Sequence, residues 1–177
     1  MGYMEITVQS PASLKIKGKH ASVFINPQDK TSSYNAAILI GNPAKVLLKI
    51  RDDVVIIDGP GEYEAGGIKI TGLKAGTQTV YTLSIDSVDV VIGEKSALEK
   101  VYQKLKEQSV AIIQADALAD ASFIPSVGLN ARILYGVHAR ETVDSFAKDT
   151  KKESAKYVIT VDKMPLEPET VLLVASS

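Results

Sequence analysis

The sequence predicts an α+β protein: two packed sheets with helices on the outside. Three observations carry that expectation. Apolar residues alternate with period two through the first half of the chain, as half-buried strands require. After Ser96 the period changes to that of an amphipathic helix. Between them lies a stretch from Ile57 to Leu73 with five glycines and one proline, flanked by apolar runs, which reads as a chain reversal of defined geometry.

The elements follow in order. Met4–Val8, Ser13–Lys17 and Ala21–Ile25 are short strands separated by Ser10-Pro11, Gly18-Lys19-His20 and Asn26-Pro27-Gln28-Asp29, the spacing of an antiparallel meander. Ala36–Ile40 and Val46–Ile50 are strands split by the turn residues Gly41-Asn42-Pro43. Val54–Ile57 leads into the glycine-rich stretch, and Ile68–Thr71, Thr79–Ile85 and Val88–Ile92 continue the sheet. Ser96-Ala97-Leu98-Glu99 reads as a capping box, opening a helix whose apolar stripe is Leu98, Val101, Tyr102 and Leu105 and which runs to about Gln108. Glu94, just before it, suits a helix N-terminus by charge. Val110–Gln114 is a buried strand, and 115–129 is a mixed segment interrupted at Pro125. Ala131–Tyr135 is a strand, Val143, Phe146 and Ala147 mark a helix ending in the polar 148–154, and Tyr157–Val161 and Thr170–Val174 are closing strands, the latter read as an edge.

Composition narrows the function. The 177 residues fit one domain spanning 1–177 with a sizeable core. Twenty Lys and Arg against 21 Asp and Glu leave a net charge of −1, which argues against nucleic acid as a partner. No apolar run approaches the roughly 20 residues of a membrane span. No signal peptide is visible and cysteine is absent, so a cytoplasmic protein without disulfides or thiolate metal sites is expected.

The segment Gly59-Pro60-Gly61-Glu62-Tyr63-Glu64-Ala65-Gly66-Gly67-Ile68 resembles one typical of the metallo-β-lactamase superfamily, in its small branch of metal-dependent hydrolases that includes ascorbate-6-phosphate lactonase-like proteins. Ile25-Asn26-Pro27 is similar to that family's early strand end. Thr79–Ile85 with Val88–Ile92 and Gly93-Glu94 resembles the hairpin leading to a metal-binding aspartate. Tyr135-Gly136-Val137-His138 resembles the strand ending in the last ligand histidine, and Leu166-Glu167-Pro168-Glu169-Thr170-Val171 a common C-terminal segment. The resemblance runs the length of the chain and implies a four-layer αββα sandwich, here trimmed.

The same resemblance exposes departures. Active members carry His-x-His-x-Asp-His after a strand like Ala36–Ile40, whereas this chain has Gly41-Asn42-Pro43-Ala44-Lys45. Ser10-Pro11-Ala12-Ser13 stands where Gly-His-Ser-Cys is frequent. Glu94 falls at the bridging-aspartate position, and His138 is the single histidine that matches a ligand. The chain's two histidines cannot build a dinuclear zinc centre, which needs three or four imidazoles beside its carboxylates. His138 alone reads as a strand-end histidine bonded to backbone or carboxylate, and His20 as an exposed turn residue. Tyr63 reads as a residue packing the shaped turn on the core.

Two functions follow. The first is a metal-free, non-catalytic descendant of the fold serving as a binding or assembly module, with no catalytic residues, no metal and no cofactor. It leaves Glu94 and His138 as remnants of the ligand set, and Glu62, Tyr63, Glu64 and Asp58 around a candidate pocket for an unidentified small molecule. The second is a metal-dependent hydrolase of lactone, ester or phosphodiester type with zinc or manganese in a rebuilt site using His138, Glu94, Asp58 and Glu62. Trimming of outer helices leaves apolar surface to cover, so a homo-oligomer is expected.

Overall fold

The computed structural model describes residues 2–28, 33–41, 53–115, 117 and 121–175. In chain order the first strands are β1 (Tyr3–Ser10), β2 (Ser13–Lys17), β3 (Ser22–Ile25), β4 (Ala36–Ile38) and β5 (Val55–Ile57). They are followed by β6 (Gly61–Ala65), β7 (Ile68–Ala75), β8 (Gln78–Ile85) and β9 (Val88–Glu94). Helix α1 (Lys95–Val101), strands β10 (Val110–Gln114) and β11 (Ala131–Tyr135), helix α2 (Ala139–Ala147) and strands β12 (Lys152–Ser154), β13 (Lys156–Thr160) and β14 (Glu169–Leu173) complete the order. The expected strand Val46–Ile50 and the residues Asn42-Pro43 of the expected turn lie outside the described residues.

Two mixed sheets result, and the α+β expectation holds. The six-stranded sheet has the order β13-β1-β2-β3-β4-β5, antiparallel from β13 to β3 and parallel from β3 to β5. The eight-stranded sheet has the order β12-β14-β11-β10-β9-β8-β7-β6, parallel from β12 to β9 and antiparallel from β9 to β6. Period-two patterning builds the interface between the sheets. Met4, Ile6 and Ile16 of the first sheet, and Val90, Ile112 and Ile133 of the second, belong to one core and are fully buried. A second core forms on the outer face of the eight-stranded sheet, where Leu98 and Val101 of α1 and Val143 and Ala147 of α2 meet Val91, Ile113 and Leu134. Both α-helices of the described residues pack on this side.

Several local expectations are corrected. The stretch Ile57–Leu73 contains a strand of its own, β6, and the tight reversal is at Gly66-Gly67, both at positive φ (59° and 82°). The earlier glycines carry the chain from the edge of one sheet to the edge of the other, since β5 and β6 belong to different sheets. Gly72 is needed for close approach: a Cβ there would meet the Gly59 carbonyl oxygen at 2.6 Å. Glu94, not Ser96, is the N-cap of α1, without a side-chain cap, and α1 gives way to a 3-10 turn at Tyr102–Lys104 instead of continuing to Gln108. The capping box fails because the helix already begins at Lys95, which puts Ser96 within its first turn, where its hydroxyl donates to Gln78 Oε1 on β8 (3.3 Å). The polar tail after α2 includes the exposed edge strand β12, so β14 is interior. Glu169 then ties the sheets together: it accepts from Lys152 on β12, and from the Tyr157 hydroxyl on β13 at 2.6 Å. Among the described residues no helix is long and apolar enough to cross a membrane.

Candidate functional site

The parallel strands of both sheets finish at one end of the sandwich, where backbone groups and side chains lose their strand neighbours and ligands gather in open α/β sheets. Asn26 shapes that end. It sits at φ 49° just past β3, with its side chain extending the ladder where backbone pairing has stopped. Its Nδ2 donates to the Ile40 carbonyl at 2.8 Å, and its Oδ1 accepts from the Ile40 amide at 2.9 Å. Asn tolerates this left-handed conformation better than other non-glycine residues. The bond pair holds Ile40 and Gly41 over the end of β9, and a Cβ on Gly41 would stand 3.4 Å from Glu94 Oε1.

A cavity of about 280 Å³ opens between the two strand ends. Asp58 and Gly41 line it from the first sheet, and Gln78, Thr79, Tyr81 and Glu94 from the second. Glu94 is 9% exposed and accepts a hydrogen bond from Gln78 Nε2. Tyr81 is 1% exposed and takes the Gly59 amide on its hydroxyl oxygen at 2.9 Å. Burial pushes the Tyr81 phenol above its ordinary range, partly offset by that donated N–H.

From Glu94 a polar row runs into the sandwich, through residues that do not line the cavity. Gln114 is the register partner of Glu94 on one side and of Tyr135 on the other, so the three residues form a row across β9, β10 and β11. Neighbouring strands lie about 4.8 Å apart, so side chains in such a row touch. Period two directs the row towards the other sheet, because Ile92, Ile112 and Ile133, two residues earlier on each strand, belong to the inter-sheet core. Gln114 Oε1 and the hydroxyl of Tyr135 are both buried without a hydrogen-bond partner, and Tyr135 is 0% exposed. Burial, and then the charge of Glu94, drive the Tyr135 phenol far above its usual value, so it stays a neutral O–H.

The structure brings two of the sequence-read site residues, Asp58 and Glu94, into this cavity. Glu62, Tyr63 and Glu64 lie instead on the β6–β7 hairpin with Lys69 and Thr71, along a separate open groove. There Glu64 faces Lys69 and Glu62 faces Thr71 across the strands. The Tyr63 hydroxyl donates to the Gly59 carbonyl at 2.8 Å, so this ring closes the glycine-rich turn. His138 is the half-buried N-cap of α2, its carbonyl accepting the Thr142 amide at 3.1 Å and the Thr142 hydroxyl at 2.7 Å; it is not among the described residues that line the cavity. Sequence reading passed over Gln78, Thr79, Gln114 and Tyr135. Gln114 and Tyr135 share one signal, a polar residue at the end of an otherwise apolar strand on the face that the alternation assigns to the inter-sheet core, whereas Gln78 and Thr79 are consecutive in β8 and point to opposite faces.

The donor set of this end does not fit a dinuclear zinc centre. The cavity wall supplies the carboxylates of Asp58 and Glu94, the chain has no cysteine, and its two histidines are exposed His20 and His138 on α2. Among the described residues no group of three or more His, Cys, Asp or Glu side chains is placed to hold a metal ion.

Comparison with solved structures identifies the architecture. The chain is similar to a protein of Thermotoga maritima described as a zinc-dependent hydrolase of the metallo-β-lactamase superfamily, with a TM-score of 0.71 and 16% identity over 96% of this chain and 98% of that one. It is also similar to the metallo-β-lactamase fold protein YhfI of Bacillus subtilis, with a TM-score of 0.57 and 12% identity over 99% and 98%. A protein of Parabacteroides distasonis described as a metal-dependent hydrolase superposes with a TM-score of 0.59 and 12% identity over 82% and 89%. No family model matches the sequence, and no curated protein sequence matches it. The chain therefore has the metallo-β-lactamase fold.

Proposed function

We propose that the chain is a non-catalytic protein of this fold that binds a small molecule in the cavity between the strand ends, as a binding or assembly module. The observation that carries the reading is the composition of the cavity wall, where Asp58 and Glu94 have no imidazole beside them among the described residues. A hydrolytic zinc site needs about three protein ligands and an open position for water. Without that set, the chemistry left to the wall is recognition by carboxylate, amide and hydroxyl groups. The near-neutral charge and lack of cysteine fit a cytoplasmic role without nucleic acid. Self-association is part of the same reading, supported by β5, which is an edge strand among the described residues and on which Val55 and Ile56 are 40% and 44% exposed.

The alternative, a metal-dependent hydrolase with a rebuilt site, draws on one observation: two carboxylates share one cavity, and oxygen donors suit hard cations. Elemental analysis by inductively coupled plasma of protein purified without chelator or metal-affinity resin separates the two readings. The expected result is no stoichiometric metal in the native protein, in Asp58→Asn or in His138→Ala. Stoichiometric zinc, manganese or iron that is lost in either variant would overturn the non-catalytic reading. Light scattering coupled to gel filtration checks self-association, which a monomer at all concentrations would refute.

A further inference from the structure

We propose that the groove beside the β2–β3 turn binds a phosphate group, carried by a small ester or as the free dianion, through Lys15, Lys17 and Lys19. The turn precedes β3, so it lies at the opposite end of the sandwich from the cavity, which opens where the parallel strands finish. The two share no lining residue, and the assignment does not rest on the reading above. The groove has a volume of about 370 Å³ and is lined by Lys15, Lys17, Lys19, His20, Ser33 and Asn35 among others. Among the described residues no carboxylate lines it. Lys15 and Lys17 are two residues apart on β2, so period two puts both on the face opposite the core residues Leu14 and Ile16. At about 3.4 Å per residue their Cα atoms stand about 7 Å apart, a spacing that two flexible ammonium groups can close around one phosphate.

The turn is held from both sides. The Gly18 amide donates to the Ala21 carbonyl at 2.8 Å, and the Lys19 amide donates to Asp86 Oδ2 at 2.7 Å, which ties it to the β8–β9 turn. On the other flank the Ser22 amide donates to Asn35 Oδ1 and the Asn35 amide to the Ser22 carbonyl, both at 2.9 Å. The lysine stems therefore start from fixed backbone, and binding has only side chains to order. Positive charge is in excess here. Among the described residues the ion pairs join Lys156 to Glu5, Lys152 to Glu169, Lys151 to Asp144 and Arg140 to Glu153, and none takes in Lys15, Lys17 or Lys19. Glu5, the register partner of Lys17, is the one paired with Lys156, at 3.6 Å. Burial of Lys15 and then the charge of Lys17 lower the Lys15 pKa, and the Lys17 charge acts there more strongly than the opposing charge of Glu5. Like charges side by side, one of them partly desolvated, are relieved by an anion, whereas an amine aggravates them and an apolar ligand leaves them unchanged. A phosphate ester brings about −1.5 to −2 charge near neutral pH and three acceptor oxygens, one for each ammonium group. At roughly 30 Å³ per water the groove has room for about twelve waters, enough for a phosphate with a short carbon skeleton.

The test is a proton–nitrogen correlation NMR titration of the full chain at low salt and about pH 7.5, where phosphate esters are dianions. Inorganic phosphate and glycerol 3-phosphate are the probes, with acetate and a single-stranded oligonucleotide as controls. The expected result is saturable shifts centred on the amides of the β2–β3 turn, with a dissociation constant of roughly 0.1–5 mM for at least one phosphate probe. Acetate, with one charge, should bind at least about fivefold more weakly. Lys15→Gln and Lys17→Gln should each weaken phosphate binding by roughly threefold or more. Lys74→Gln, which removes the same charge from an exposed position on β7, should leave binding unchanged. Lys17 is exposed, so Lys17→Gln carries the test if Lys15→Gln disturbs the fold. Tighter binding of the ester identifies a phosphorylated small molecule as the occupant, and equal binding identifies the free ion; both support the site. No saturation below about 20 mM, shifts centred away from the turn, or equal weakening by Lys74→Gln would each overturn it. An oligonucleotide that binds more tightly than either phosphate probe would overturn it as well, in favour of a nucleic-acid surface.

Discussion

Replacing Tyr135 by Phe should make the unliganded protein more stable. The ring is fully buried in the core between the sheets, and its hydroxyl has no hydrogen-bond partner. In the unfolded chain that hydroxyl is hydrated, so folding strips its water and gives nothing back, at a cost of about 1–3 kcal/mol. Phe retains the ring contacts and removes the oxygen, leaving a gap smaller than a methyl group, whose penalty is below about 1 kcal/mol. The balance is a gain of about 1–2 kcal/mol. In a chain of this size each kcal/mol moves the midpoint by about 2–4 °C, so thermal unfolding should shift upward by about 2–8 °C. Urea denaturation with an unchanged slope would confirm that the native state, and not the denatured ensemble, has moved. A destabilisation of about 1 kcal/mol or more would refute the reasoning, because it would mean that the hydroxyl is satisfied in solution.

Other perturbations test other parts of the argument. Asn26→Ala should cost about 2–4 kcal/mol in urea denaturation, since it leaves both the amide and the carbonyl of buried Ile40 unpaired; a loss below about 0.5 kcal/mol would show that the bridge is dispensable. Gly72→Ala should cost about 1–3 kcal/mol, because its Cβ is driven against the Gly59 carbonyl, whereas Gly67→Ala, with open space but φ 82°, should cost about 1–2 kcal/mol from backbone strain alone. Equal stability of Gly72→Ala and native protein would show that β7 and the glycine-rich crossover are not in close contact. For Glu169, burial opposes ionisation, but the bonds from Lys152 and Tyr157 prevail and hold its carboxyl below the ordinary range. A depressed folded pKa means that its stabilisation is present above the unfolded value near 4.5 and is lost as pH falls through the lower folded value. Glu169→Gln should therefore flatten the acid limb of stability measured below about pH 4.5; an unchanged limb would exclude this carboxylate as a source of acid sensitivity.

Much of the framework is readable from the residues because it depends on local periodicity. The meander of β1 to β3, the alternation of Tyr81, Leu83 and Ile85 in β8, and the change to helical period at Leu98 and Val101 follow from which face each side chain occupies. What escaped depends on partners distant in the chain. Ser96 and Glu99 have capping-box spacing, but the helix begins one residue earlier, at Lys95 after Glu94, and the Ser96 hydroxyl turns to Gln78 on another strand. Thr170–Val174 has the composition of any closing strand. Its interior place comes from Lys152–Ser154, a charged, exposed edge that reads in isolation as solvated helix tail. The glycine-rich stretch announces a reversal, yet nothing local says that the chain changes sheets there.

The candidate site divides in the same way. Glu94 and Asp58 were legible as carboxylates at strand ends, and the cavity joins them. Gln114 and Tyr135 were hidden because each completes an apolar strand, and only the parallel register of β9, β10 and β11 sets them beside Glu94. The physical oddity of that row is its strongest argument. If packing were its whole purpose, Leu at 114 and Phe at 135 would fill the same space without burying an unpaired amide oxygen and an unpaired hydroxyl. Rules of core construction are broken most often where a structure binds or reacts, since a group optimised for a ligand is left incomplete without it. The breach here lies behind a carboxylate-lined cavity, at the end of the fold where the parallel strands of both sheets finish. The two orphaned atoms lie inside the sandwich and not on the cavity wall that Asp58 and Glu94 line, so the breach of core construction and the cavity are neighbouring but separate features of this end of the fold.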